Sequence, residues 1–112
     1  MAQFMLLLYD DPTGWAKLSP EEMQKAIEKY RAWTELPITK GHGRLAEDVG
    51  KVVRSQNGKA RATDGPYSET KEVLGGYYMI EVADYNEAVR KASEHPHIEY
   101  GGTIEVRKLW GQ

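Results

Sequence analysis

Residues 77–82 alternate between two kinds of side chain, and this alternation limits the possible fold more than any other part of the sequence. The two sets are Tyr78, Ile80 and Val82, and Tyr77, Met79 and Glu81. A period of two is typical of a strand with one buried face and one open face. The pattern recurs near the C-terminus, where Ile104 and Val106 alternate with Thr103, Glu105 and Arg107. We therefore expect an antiparallel sheet that helices cover on one face.

Three other segments carry clear signals of secondary structure. Residues 4–9 form an unbroken apolar run, which predicts a strand buried on both faces. A first helix is predicted over residues 19–36, because Ser19-Pro20-Glu21-Glu22 forms a capping box and Pro37 cannot continue a helix. A second helix is predicted from another capping box, at residues 84–87, up to Pro96, which ends it.

The segment between the two helices contains a β-hairpin and a long strand. Asn57-Gly58 is the pair preferred in a type I′ turn, and it lies between strand-like runs at residues 51–56 and 59–63. With a two-residue loop, the register pairs Val53 with Ala62, Arg54 with Arg61, and Lys51 with Asp64. The long strand is predicted over residues 73–82, with a weak or bulged start at Gly75-Gly76, and the last strand over residues 103–108.

The elements thus follow the order strand, helix, hairpin strands, strand, helix, strand. This is the order of the α+β, ferredoxin-like split βαβ fold, in which both helices cover one face of an antiparallel sheet. The other face mixes aromatic side chains with charged ones, namely Glu81 and Glu105 near Arg107. Such a face in a small chain is either a wet ligand-binding floor or a subunit interface. We expect both, in a homodimer whose two sheets enclose a cleft.

Composition excludes several classes of function. A chain of 112 residues is the size of one domain, predicted over residues 1–112. Fifteen basic and seventeen acidic residues give a net charge of −2, which argues against direct binding of nucleic acid. The absence of cysteine excludes disulfides, thiolate metal sites and cysteine nucleophiles. No apolar run is long enough to span a membrane and no signal-peptide pattern is present, so we expect a cytoplasmic protein.

The most distinctive stretch of the sequence is Asp64-Gly65-Pro66-Tyr67-Ser68-Glu69-Thr70-Lys71-Glu72, followed by Leu74-Gly75-Gly76-Tyr77-Tyr78. It resembles the DGPF group of the YCII-related proteins, with Tyr67 where the name of the group has phenylalanine. The resemblance extends to residues 5–9, 18–22 and 101–107, and so covers nearly the whole chain. It implies a ferredoxin-like dimeric α+β barrel.

The resemblance also implies two alternative functions. YCII-related proteins are described as enzymes with a His–Asp pair in the cleft, the histidine lying on the first helix. Residues 19–36 contain no histidine, so that catalytic residue has no counterpart here. Genes of the DGPF group are associated with alternative sigma factors, which implies a non-catalytic role as a transcription-linked partner.

Asp64 and His97 are the candidate catalytic residues. Asp64 lies beside Gly-Pro at the exit of the hairpin, where a rigid turn could hold it as a general base or an anchor. The structural alternative is a turn residue that bonds its own backbone and pairs with Lys51. Histidine side chains in general titrate near neutral pH, so His97 could serve as an acid, whereas the structural alternative is a histidine that meets free carbonyls at a helix end.

Tyr67, Lys71 and Arg107 are the candidate ligand-binding residues, with Lys71 or Arg107 as a clamp on negative charge. Arg54 and Arg61 oppose each other in the hairpin, which is unfavourable unless they form an anion site or protect an exposed edge. The three histidines lack a metal-binding spacing, so no metal is expected. The simplest enzymatic hypothesis is proton transfer without a cofactor on a small polar or anionic molecule.

Overall fold

The computed structural model describes residues 1–111 and has the predicted α+β architecture. The strands are β1 (Ala2–Asp10), β2 (Thr39–Arg44), β3 (Lys51–Gln56), β4 (Lys59–Asp64), β5 (Val73–Val82) and β6 (Thr103–Lys108). The helices are α1 (Pro12–Trp15), α2 (Pro20–Thr34), α3 (Tyr85–Ser93) and α4 (Pro96–Glu99). Four strands form an antiparallel sheet, and β3 and β4 form a separate two-stranded sheet.

The large sheet is built from two interleaved split βαβ units. Its strand order is β2-β5-β1-β6, and every neighbouring pair is antiparallel. β1 and β2 are therefore parallel to each other with β5 between them, and β5 and β6 are parallel with β1 between them. α2 connects the first pair and α3 the second. This is the connectivity expected from the order of the elements.

The core lies between one face of this sheet and the two longer helices. The even-numbered residues of β1 from Ala2 to Leu8 are buried and pack with Tyr78, Ile80 and Val82 of β5. Trp33 of α2 and Ala88 of α3 close the core from the helical side. The odd-numbered residues of β1 are only partly buried. The prediction that residues 4–9 are buried on both faces is therefore wrong for the single chain, because nothing within residues 1–111 seals the second face.

The helix boundaries follow the caps that the sequence contains. Ser19 and Glu22 form the predicted reciprocal capping box of α2. Asp84 accepts a hydrogen bond of 2.9 Å from the Glu87 backbone N–H at the start of α3. α3 ends at Ser93, before Pro96, and this proline begins α4 instead of ending the longer helix. No helix within residues 1–111 is long and apolar enough to cross a bilayer.

The hairpin occupies a different place from the one that the element order implied. Its turn and register are confirmed, with Arg54 opposite Arg61 and Lys51 opposite Asp64. The hairpin does not supply the edge strand that pairs with β5 in the main sheet. That strand is β2, a segment with two glycines and little strand propensity. The hairpin is an insertion between β2 and β5. The radius of gyration of 15.9 Å exceeds the ~13 Å expected for a compact chain of this length, as a projecting hairpin requires.

Glycines permit close backbone approaches at the predicted bulge. The register of β1 against β5 shifts where Leu8 opposes Gly76 and Tyr9 opposes Leu74, which leaves Gly75 as the extra residue. This confirms the bulged start of the long strand. A side chain at Gly76 would press on the carbonyl of Gly43 in β2, so glycine is required for β2 to dock at this point.

We predict that truncation of the buried β1 face costs far more stability than truncation of an exposed leucine. Leu6 is fully buried in the core, so Leu6→Ala should lower the free energy of unfolding by about 2–5 kcal/mol. Leu45→Ala is the matched control, since Leu45 is 43% exposed in a loop, and should cost about 1 kcal/mol or less. Urea denaturation measures both. Equal losses in the two variants would contradict the assigned register of β1.

Candidate functional site

The structure places the sequence-predicted site residues in three different regions. Asp64 and Tyr67 belong to the hairpin and its exit, where the Asp64 side chain is 75% exposed and forms an ion pair with Lys51. His97 is buried below the main sheet. Arg107 lies on β6 and pairs with Glu105 at 3.3 Å on the face away from the helices. The Lys51–Asp64 pair matches the structural interpretation of Asp64.

His97 joins α2, α4 and the end of β1. Its Nε2 lies 2.8 Å from the backbone oxygen of Tyr9, and its Nδ1 lies 2.7 Å from the hydroxyl of Tyr30. A carbonyl can only accept, so Nε2 carries a proton and donates to Tyr9, while Nδ1 and the Tyr30 hydroxyl form the second hydrogen bond. Both nitrogens are satisfied and the side chain is 3% exposed. His97 therefore holds a strand end in place and does not meet helix carbonyls.

His95 is the N-cap of α4 and lies inside an aromatic cluster. Its Nδ1 accepts a hydrogen bond of 2.9 Å from the His97 backbone N–H, and its Nε2 has no hydrogen-bond partner among the described residues. The rings of Trp33 and Tyr78 lie 4.7 Å from it, centroid to centroid. Burial in these rings, with a smaller contribution from His97, lowers the pKa of His95 to about 3. His95 is therefore neutral at physiological pH.

Tyr30 connects the buried histidines with a small pocket. Its ring packs edge-on against Trp15 at 5.9 Å and against His95 at 5.2 Å, centroid to centroid. Burial, followed by the negative charge of Asp10, raises the pKa of Tyr30 well above its ordinary value. The hydroxyl of Tyr30 therefore stays protonated at physiological pH.

The pocket lies where β1 passes into α1 and has a volume of about 120 Å³. It is lined on one side by Asp10, Asp11 and Trp15, and on the other by Tyr100 and Gly101. One carboxylate oxygen of Asp10 accepts a hydrogen bond from the Trp15 indole N–H, which fixes the side chain toward the pocket. The volume suits a molecule of a few heavy atoms, because sites for drug-sized ligands are about 300–1,000 Å³.

The bulge in β5 lies beside the pocket. A Cβ atom added at Gly75 would come 3.7 Å from the carboxylate oxygen of Asp10 that does not bond Trp15, an ordinary contact distance. Bulges occur next to active sites because they redirect the residues that follow. Here the register shift between Leu8 and Tyr9 changes which residues of β5 pair with the last two residues of β1.

Tyr9 extends the site onto the open face of the sheet. Its backbone oxygen is held by His97, while its hydroxyl donates to Glu105 at 3.0 Å. Burial and the hydrogen bond to Glu105 raise the pKa of Tyr9. Arg107 completes a row of three polar groups by pairing with Glu105. One residue thus links the buried histidine to the charged pair on the open face.

Lys71 is brought to the rim of the pocket, although it is distant in sequence from β1. Its Nζ lies 3.8 Å from a carboxylate oxygen of Asp11, which caps α1 through Thr13. Hydrogen bonds from the Thr13 side chain and backbone lower the pKa of Asp11, so this carboxylate is charged. None of the five sequence-predicted site residues is among those that line the pocket: Lys71 contacts it only through Asp11, and Asp64, Tyr67, His97 and Arg107 lie elsewhere.

Sequence reasoning missed Asp10, Trp15 and Tyr30. Asp10 carried one usable signal, since it is a carboxylate at the end of a buried strand. The contact between Tyr30 and His97 spans 67 positions in the sequence and has no local signal.

The arrangement is suited to proton transfer and to binding a small polar molecule. Asp10 offers a carboxylate in a half-enclosed pocket, and Lys71 supplies a positive charge at its rim. Within residues 1–111 no three His, Asp or Glu side chains are grouped so that they could hold a metal ion.

We predict that Gly102→Ala destabilises the protein through His97. A methyl group at position 102 would overlap the imidazole ring, and the ring cannot move without breaking its bonds to Tyr9 and Tyr30. The free energy of unfolding should fall by about 1–3 kcal/mol, the usual cost of overpacking. The control is Gly14→Ala, because nothing lies within 4 Å of the added methyl there. A tolerated Gly102→Ala would refute the fixed position of His97.

We also predict a pH dependence of stability that comes from His95. Its folded-state pKa of about 3 is below the ~6.5 of an unfolded chain, so the unfolded state binds more protons between these values. Stability should therefore fall as pH drops below ~6.5, by up to about 1.4 kcal/mol per unit. His95→Asn keeps an acceptor for the helix cap and should remove this part of the slope. His42→Asn, at an exposed histidine, should leave the slope unchanged.

The YCII-related domain matches residues 2–111. An uncharacterized protein of Rhizobium meliloti (strain 1021) is 30% identical over 112 residues, in an alignment that covers 95% of this chain and 90% of that protein. A domain match of this extent, together with a relative of almost the same length, shows that this chain belongs to the family of YCII-related domain proteins.

Proposed function

We propose that this YCII-related protein is a homodimer that binds a small polar molecule in the pocket beside Asp10, and that it transfers a proton without a cofactor. The observation that carries this proposal is the Asp10 carboxylate, fixed by Trp15 and directed into a pocket that Lys71 borders. Tyr9, the neighbour of Asp10 in the chain, donates its hydroxyl to Glu105 on the open sheet face, on which we place the second sheet of the dimer.

The composition of the open face supports the dimer. Met5, Leu7, Tyr77 and Met79 lie on adjacent strands of this face and are all partly exposed in the single chain. Burying such side chains contributes about 25 cal/mol per Å² of apolar surface. The charged residues lie toward β6 and could line the remaining cleft. Two such sheets packed face to face would form the dimeric α+β barrel that the DGPF group implies.

The ligand chemistry follows from the charges around the pocket. Asp10 and Asp11 favour a hydroxyl or amine donor, while Lys71, which pairs with Asp11, would hold a carboxylate of the same molecule. Asp10 is the base in this proposal, and His97 positions the strand end from below. Asp64 is a weaker candidate for the base because it is exposed and already paired with Lys51.

The proposed dimer predicts a specific effect of charge on the open face. Light scattering of the native protein should give twice the chain mass of 12.7 kDa at micromolar concentration. Leu7→Lys should give the mass of a single chain, because the lysine ammonium group would be buried in the dimer interface without a charged partner. Val89→Lys, on the exposed face of α3, should leave the mass unchanged. A native protein with the mass of one chain would reject the dimer.

The two candidate carboxylates can be separated by matched substitutions. Glycolate is a suitable probe, because it offers a hydroxyl to Asp10 and a carboxylate to Lys71 within a small volume. Asp10→Asn should weaken glycolate binding at least about tenfold, as expected when a charged hydrogen-bond partner is lost. Asp64→Asn should leave it unchanged. NMR titration measures both affinities, and the reverse result would restore Asp64 as the functional residue.

The alternative function, a non-catalytic partner of an alternative sigma factor, stays a prediction from the resemblance. A pull-down with the purified protein and the sigma factor tests it directly. If the Asp10→Asn variant still retains the sigma factor in the pull-down, the result would favour this alternative over the pocket as the functional site.

A further inference from the structure

The projecting hairpin, hereafter the arm (residues 51–64), has two chemically different faces. Strand alternation and the observed register place Val53, Ser55, Ala60 and Ala62 on one face. The opposite face carries Val52, Arg54, Gln56, Lys59, Arg61 and Thr63, and we call it the basic face. Since β3 and β4 pair only with each other within residues 1–111, this face is not part of the main sheet.

Arg54 and Arg61 stand directly opposite each other on the basic face. Their Cβ atoms are about 5 Å apart in such a pair, and like charges at this spacing are destabilising. Arg44, Arg90 and Arg107 each have a carboxylate within 4.0 Å. Among the described residues, neither Arg54 nor Arg61 has one. The repulsion is therefore retained without any compensating ion pair within residues 1–111.

These arginines lie beside an aromatic ring and an open cavity. The Arg54 guanidinium lies over the ring of Tyr67, 5.4 Å from its centroid, in a cation–π contact that restricts its movement. Arg54, Gln56, Arg61 and Thr63 contribute to the lining of an open cavity of about 400 Å³. The guanidiniums, the amide and the hydroxyl together supply several hydrogen-bond donors aimed at the same space.

Charge is also unevenly divided between the arm and the rest of the protein. Residues 51–64 contain four basic side chains and one acidic side chain, hence a charge of +3. The whole chain carries −2, so the rest carries −5. The basic face is therefore a local positive site on an acidic protein, and it would attract anions that the body repels.

We propose that the basic face of the arm binds a small molecule with a multiply charged oxyanion group, of the phosphate or polycarboxylate type. Each guanidinium presents parallel N–H donors that match two oxygens of such a group. A bound dianion would remove the repulsion between Arg54 and Arg61. The site is separate from the pocket beside Asp10 and does not depend on the function proposed for that pocket.

Titration with pyrophosphate and with citrate tests the proposal and distinguishes the two anion types. The native protein should bind one of them saturably at low ionic strength, with NMR shifts concentrated in residues 54–63 and at Tyr67. Arg54→Gln/Arg61→Gln should weaken binding at least about tenfold. Arg54→Lys/Arg61→Lys keeps the charge but loses the paired donors, so it should weaken binding to a smaller extent.

The charge-matched control is Lys25→Gln/Arg31→Gln, which removes two exposed positive charges from α2. It should bind the anion within about twofold of the native protein, because the two charges removed lie on α2, outside the arm, and exposed charges away from the site are largely screened. Equal weakening in the control and in the arm variant would overturn the proposal, as would the absence of saturable binding of either anion. A change in oligomeric mass on loss of Arg54 and Arg61, without anion binding, would assign the basic face to a second copy instead.

Discussion

The double pairing of β1 is the constraint on which the rest of the structure depends. β1 is hydrogen-bonded to β5 on one edge and to β6 on the other, so its register is fixed from both sides. Burial of Phe4 and Leu6 against the helices then decides which face of the whole sheet is the core. A slip of one residue would exchange the two faces. The register that builds the core therefore also places Tyr9 beside Glu105 on the open face.

The end of β1 is where the stability of the fold and the chemistry of the site meet. His97 holds the backbone of Tyr9 from the core side, and the bulge at Gly75 lies beside the carboxylate of Asp10. The pocket is thus a consequence of how the strand terminates, and the buried histidines support it without reaching it themselves.

The features that the sequence predicted well are those set by neighbouring residues. The capping box at Ser19 and the Asn57-Gly58 turn act over a few positions, so their geometry follows from local chemistry. β2 and α4 were missed because their formation depends on distant partners. The strand propensity of residues 39–44 is low, and β5 provides the ladder that makes them a strand. For the same reason, the Lys51–Asp64 pair was predictable from the hairpin, whereas the contact of Lys71 with Asp11 was not.

The sequence by itself determined the α+β class, the helix starts, the hairpin register and a sheet with two unlike faces, because each arises from periodicity or from contacts across a short turn. The tertiary structure alone decided that the hairpin stands apart from the sheet, that Asp10, Trp15 and Tyr100 line one pocket, and that Tyr30 joins His97 to Trp15 at its wall. The physical reason is that these contacts join residues far apart along the chain. They are selected by the packing of whole elements, which local propensities do not encode.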